Sequence, residues 1–139
     1  MFFNLTEDHL AVQQAARDFA QNELKAGVIA RDTHMTYPTE QVRRMAEMGF
    51  LGMMVSPKYG GSGMDTVAYT LAMEEISKID NSCSVIMSVN NSLYLGPIMR
   101  WGTEQQKQAF VTPFMDGESL EEWDRNYIFQ WQIQVEPRH

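Results

Sequence analysis

From Thr6 to Gly117 the chain is cut by helix caps and glycine stops into short segments with apolar residues at three- and four-residue spacing. This punctuation prescribes several short helices packed on one another. Thr6 suits an N-cap, Glu7 and Asp8 suit the positive end of a helix dipole, and Leu5 and Leu10 occupy the staple positions. Val12, Ala15, Ala16, Phe19 and Ala20 mark the apolar face of this helix, which should stop near Gly27. Loop chemistry then runs through Asp32 and Thr33 to Tyr37-Pro38. Pro38 fits the first turn of a helix carrying Val42, Met45 and Met48, with Gly49 just past its end. Arg43 and Arg44 suit the negative end of its dipole.

Phe50 to Val55 is a short apolar run, followed by a loop with glycines at 60, 61 and 63. Such glycines mark positive φ or close backbone approach. The loop lacks the preceding strand and the spacing of a phosphate-binding turn. A structural turn and a ligand-lining loop both remain open. Asp65 or Thr66 caps the next helix, where Val67, Ala68, Leu71 and Glu75 share a face, with Ile76 and Ile79 beyond. Glu74 and Glu75 are adjacent, so they point about 100° apart and do not form a catalytic pair. A solvated face or an inter-helix ion pair is their expected role. The helix from about Asn81 carries a stripe of Val85, Ile86, Val89 and Leu93, with Ser82, Ser84, Ser88, Asn90, Asn91 and Ser92 filling the rest. Few charges lie between Asp80 and Arg100, so this helix is expected to be buried on most sides. Tight packing and pocket lining are both open for it. Gly96-Pro97 opens a helix through Trp101, ended by Gly102. Thr103 and Gln106 form a capping box, and Phe110, Val111 and Phe114 face the last helix before Gly117. The expected fold is all-α, a bundle of about five to six helices.

Composition removes several function classes. A length of 139 residues suits one domain with an adequate core. A formal charge of −7 argues against nucleic acid or an anionic membrane as main partner. Cys83 is the single cysteine, which excludes an intramolecular disulfide, and a thiol buried in a helix is expected to be inert. His9, His34 and His139 show no metal spacing, and no nucleophile motif is present. No stretch approaches the roughly 18 apolar residues that cross a bilayer. The start, Met1-Phe2-Phe3-Asn4-Leu5, has neither the basic n-region of a signal peptide nor an Arg-rich leader. A bacterial cytoplasm is the simplest expected location, or the mitochondrial matrix for a eukaryotic source. The 11 methionines suit gap-filling in helical cores or an adaptable apolar site.

Taken in order, these segments resemble the N-terminal helical domain of the acyl-CoA dehydrogenases, and most closely the short-chain (butyryl-CoA) branch. The resemblance rests on Leu5-Thr6-Glu7, on Glu47-Met48-Gly49-Phe50-Leu51-Gly52, and on Pro57-Lys58-Tyr59-Gly60-Gly61-Ser62-Gly63-Met64-Asp65. It continues through Met73-Glu74-Glu75-Ile76-Ser77, the helix from Ser84 to Leu93, and Gly102-Thr103-Glu104-Gln105-Gln106-Lys107-Gln108. It implies an FAD-dependent oxidation of a short-chain acyl-CoA to the trans-2-enoyl-CoA. A glutamate base and the flavin would do the chemistry, and an electron-transferring flavoprotein would receive the electrons. It also implies that Val85, Ile86, Val89 and Leu93 line the acyl pocket, as an apolar wall with no catalytic group.

The resemblance covers residues 1–117 as the helical domain and leaves 118–139 outside it. No glycine follows Gly117, whereas the family continues into a glycine-bearing β-domain segment. That segment and the catalytic glutamate are missing from the pattern. The expectation is an N-terminal fragment, inactive alone and not retaining FAD. The alternative is a non-catalytic helical module that binds acyl chains or a protein partner, or that self-associates through exposed apolar surface. In the tail, Tyr127, Phe129, Trp131, Ile133 and Val135 alternate with Ile128, Gln130, Gln132 and Gln134. That period of two reads as a strand, with no sheet for it to join; a disordered tail is the other expectation.

Overall fold

The computed structural model describes residues 4–115. Helix α1 (Glu7–Phe19) continues into a π-helical turn (Ala20–Leu24), and α2 (Val28–Thr33) follows. Helix α3 (Thr39–Glu47) leads to two 3-10 turns (Phe50–Gly52 and Pro57–Tyr59) and then to α4 (Thr66–Ser77). Helix α5 (Asn81–Ser88) runs through a second π-helical segment (Val89–Leu95) into α6 (Gly96–Trp101). Helix α7 (Glu104–Phe110) and a 3-10 turn (Thr112–Met115) end the described chain. Among the described residues there is no strand, so the all-α expectation holds.

The local signals explain most boundaries. Thr6 caps α1 in a reciprocal box, with His9 rather than a glutamate or glutamine at the third position. Asp65 caps α4 by accepting from the Ala68 N–H at 2.8 Å. Thr103 and Gln106 form the expected box on α7. Gly49, with φ of 78°, supplies the left-handed residue after α3. One segment departs from the sequence reading: residues 28–33 form α2, not a loop. Gly27 takes φ of 80°, and Arg31 reaches back to the Ala26 carbonyl at 3.0 Å.

The main core lies where α1 packs on α4, which packs in turn on α5. Ala16, Phe19, Ala20 and Leu24 meet Ala72 and Ile76 there, with Val42, Met45, Leu51 and Met87 closing the sides. Phe19 and Phe50 pack as tilted rings 5.7 Å apart. Glu75 is buried beside these apolar groups, and the Arg17 guanidinium holds it with contacts of 3.1 and 3.0 Å. This is the inter-helix ion pair expected for that acidic pair, while Glu74 is exposed and pairs with Lys78. A smaller cluster of Val55, Tyr59, Leu95 and Val111 joins α7 to the loop before α4.

Other expectations need correction. Leu5 and Leu10 stay substantially exposed, so the staple is not a buried contact. Val67 is also exposed, and the buried face of α4 is Ala68, Ala72, Glu75 and Ile76. Helix α7 stops at Phe110, which faces out, and Val111 turns into the core. The Phe114 side chain, Gly117 and the alternating tail at 127–135 lie outside the described residues.

Candidate functional site

The helix that begins at Asn81 is held at both ends by polar contacts. Asp80 caps it, accepting from the Cys83 N–H at 3.0 Å. Arg31 donates to the other Asp80 oxygen at 2.8 Å and to the Leu24 carbonyl at 2.7 Å. Burial works against a charged Asp80, but the Arg31 guanidinium and the Cys83 N–H outweigh it and hold the carboxyl below its ordinary value. Burial, together with the adjacent Asp80 charge, pushes the Cys83 thiol up to about 12, so it stays protonated and inert.

The π-helical part is anchored by two asparagines. Asn90 donates its amide to the Leu51 carbonyl at 2.7 Å. Asn91 donates to the Phe50 carbonyl at 2.8 Å and the Met87 carbonyl at 3.0 Å, and accepts from the Met53 N–H at 2.9 Å. Both asparagines are buried. Together they fasten the helix to the segment after α3.

The apolar residues point the other way. Val85 is 51% exposed and Leu93 70%, while Ile86 and Val89 are half-buried. The expectation of a helix buried on most sides therefore fails. Its inner face is Cys83, Ser84, Met87, Asn90, Asn91 and Leu95, and its outer face is Val85, Val89 and Leu93, while Ile86 lies at the edge and packs against the core. The structure brings Val85, Val89 and Leu93 into a row at four-residue spacing, and exposed Pro97 and Trp101 extend it. In a plain α-helix each four-residue step over-rotates by about 40°. The wider π turn between Val89 and Leu95 offsets that drift and keeps the row on one side.

Beside the row, Pro97, Ile98, Trp101, Gly102, Gln106 and Phe110 line an open groove of about 340 Å³. The glycine loop is a structural turn. Gly60 and Gly63 have φ of 92° and 65°, and a side chain on Gly61 would collide with the Val55 carbonyl. The N–H groups of Gly60, Gly61, Ser62, Gly63 and Met64 all donate to backbone carbonyls. Lys58 pairs with Glu104 at 2.6 Å, and the Tyr59 hydroxyl donates to the same carboxylate at 2.7 Å. The backbone N–H groups of residues 60–64 are thus not free for a phosphate or a flavin diphosphate. Among the described residues no acidic, histidine or cysteine cluster could hold a metal, and no helix is long and apolar enough to cross a membrane.

The family model described as "Acyl-CoA dehydrogenase, N-terminal domain" matches residues 6–118. The chain belongs to the acyl-CoA dehydrogenase family. It is 47% identical over 116 residues to the mitochondrial short-chain specific acyl-CoA dehydrogenase of Mus musculus, covering 84% of this chain and 28% of the mouse protein. It superposes with a TM-score of 0.79 on butyryl-CoA dehydrogenase from Megasphaera elsdenii, at 36% identity, covering 85% of this chain and 32% of that one. A chain from work on the electron transferring flavoprotein of Acidaminococcus fermentans gives a TM-score of 0.80 at 39% identity, covering 84% and 31%. The chain therefore spans under a third of the length of these acyl-CoA dehydrogenase relatives.

The sequence shows the stripe as a period but not the groups that place it. Asn90 and Asn91 read as filler, and nothing local ties Arg31 to Asp80 across 49 positions. The available signal was two adjacent amides in a nearly uncharged helix, which need buried partners if they face inward.

Proposed function

We propose that this domain supplies one wall of the acyl pocket in an FAD-dependent, short-chain acyl-CoA dehydrogenation, with Val85, Ile86, Val89 and Leu93 as that wall. The observation that carries the reading is the outward apolar row on a helix whose inner face is anchored by buried Met87 and Leu95 and by the Asn90 and Asn91 amide bonds. An apolar row left uncovered by its own domain is suited to a ligand or partner of matching chemistry. These side chains carry no proton acceptor, so they exclude water and limit chain length instead of moving a proton. The flavin would supply the oxidation when bound. The N–H groups of the glycine loop are already taken by carbonyls, which supports a flavin site outside this loop. Residues 1–117 act as the helical domain in this reading. Electrons would pass to an electron-transferring flavoprotein.

The 139-residue chain purified alone is expected to show no flavin absorbance and no butyryl-CoA oxidation with an artificial acceptor. Stoichiometric yellow flavin would overturn that part. The wall is tested by following backbone amide shifts during titration with butyryl-CoA. The expected changes concentrate on residues 85–93; changes elsewhere, or none at saturation, contradict it. A second reading, a helical module that docks a protein or a second copy, is favoured by Trp101 at 72% and Phe110 at 51% exposure beside the groove. Concentration-dependent shifts confined to residues 97–110 would favour that reading.

A further inference from the structure

We infer that Asn90 and Asn91 are positioning residues that set which acyl lengths the wall accepts. The inference rests on the proposed acyl wall. Four hydrogen bonds link the two amides to Phe50, Leu51, Met53 and Met87, and three of them join the π segment to a different part of the chain. The π segment begins at Val89 and ends at Leu95, so both amides lie within it and just before Leu93. π turns are rare, occur mostly as single turns inside α-helices and concentrate at functional sites, so one that persists calls for contacts that favour it. Here the contacts are the amides. Asn90 Oδ1 is buried with no partner among the described residues, so its inward pose is held by the bond to Leu51 alone.

The consequence for the row is geometric. At α pitch, positions 85 and 93 differ by about 80° around the axis. Losing the π turn would carry Leu93 toward the side that bears Ile86 and buried Cys83. Leu93 is the most exposed member of the proposed wall, so its angle decides how deep an acyl chain can run along the row. The amides therefore act on ligand length without touching the ligand.

Two measurements on the full chain test this. In a Leu93→Cys background, the introduced thiol should alkylate quickly because position 93 is exposed, while buried Cys83 contributes little background. Adding Asn91→Ala should slow that alkylation several-fold while helix content by circular dichroism is retained. If Asn91→Ala does not fold, Asn90→Ala, which removes one donated bond, takes its place. Separately, the thermal shifts given by butyryl-CoA and octanoyl-CoA are compared in the chain with and without the asparagine substitution. The expected result is a changed ratio of the two shifts. A purely structural role would lower every midpoint and leave the ratio alone. An unchanged alkylation rate in a folded variant overturns the positioning claim, and a changed rate with an unchanged ratio overturns the specificity role. If neither ester shifts the unsubstituted chain, the acyl wall itself fails, and alkylation still decides whether the amides orient the row.

Discussion

Helix α4 and the α5–π helix sit side by side but are built on opposite plans. Helix α4 puts Ala72 and Ile76 inside, where they pack on α1, and its buried charge Glu75 is paired with Arg17. The α5–π helix puts Asn90 and Asn91 inside and Val85 and Leu93 outside. In the first case burial of apolar area holds the contact. In the second, directional amide bonds join buried Cys83, Met87 and Leu95 in fixing the helix, and its outer apolar residues are left for something else. A hydrophobic stripe therefore marks the face to be covered, whether by the same domain or by another molecule.

The contrast predicts a graded response to substitution. Ile76→Ala should cost about 3–4 kcal/mol, because it empties a fully buried site between α1 and α4. Chemical denaturation measures this, and a loss below about 1 kcal/mol would mean that the α1–α4 contact is not the main core. Glu75→Ala should cost about 2–3 kcal/mol, at or below the low end for a broken buried pair because Arg17 remains 46% exposed and can be rehydrated. A loss equal to that of a surface pair would show the carboxylate to be solvated.

The same pair gives a pH window. Hydrogen bonding from Arg17, opposed by burial and aided by Lys78, lowers the Glu75 carboxyl to about 2 from an ordinary 4.5. A depressed carboxyl stabilises the fold while ionised, so its contribution is complete above about 4.5 and is lost as pH falls toward about 2. Thermal midpoints should therefore decline over that interval, and the decline should be shallower in Glu75→Gln. Equal slopes in the two proteins would remove Glu75 from the account. The smallest effect belongs to Leu10→Ser, about 0.5 kcal/mol or less, since Leu10 is half exposed.

Legibility in the sequence followed the range of each interaction. The Thr6, Asp65 and Thr103 caps and the Gly49 stop were readable because cap and helix are neighbours in sequence. Helix α2 was not, because its stabilising contacts are made by Arg31 to Leu24, Ala26 and Asp80. The stripe at 85, 86, 89 and 93 was visible as a period, yet period says which residues share a face and not which way the face looks. Its direction depends on the buried inner face, where the partners of Asn90 and Asn91 at 50, 51 and 53 lie some 38 to 41 positions away.

One paired urea-unfolding measurement tests the inverted helix most directly, using Asn91→Leu and Leu93→Ser. The first replaces a buried polar residue by an apolar one, and the second does the reverse on the outer face. The expected loss is about 2–3 kcal/mol for Asn91→Leu, which strands the Phe50 carbonyl and the Met53 N–H, and the expected change for Leu93→Ser is within about 0.5 kcal/mol. A neutral Asn91→Leu together with a strongly destabilising Leu93→Ser would contradict it.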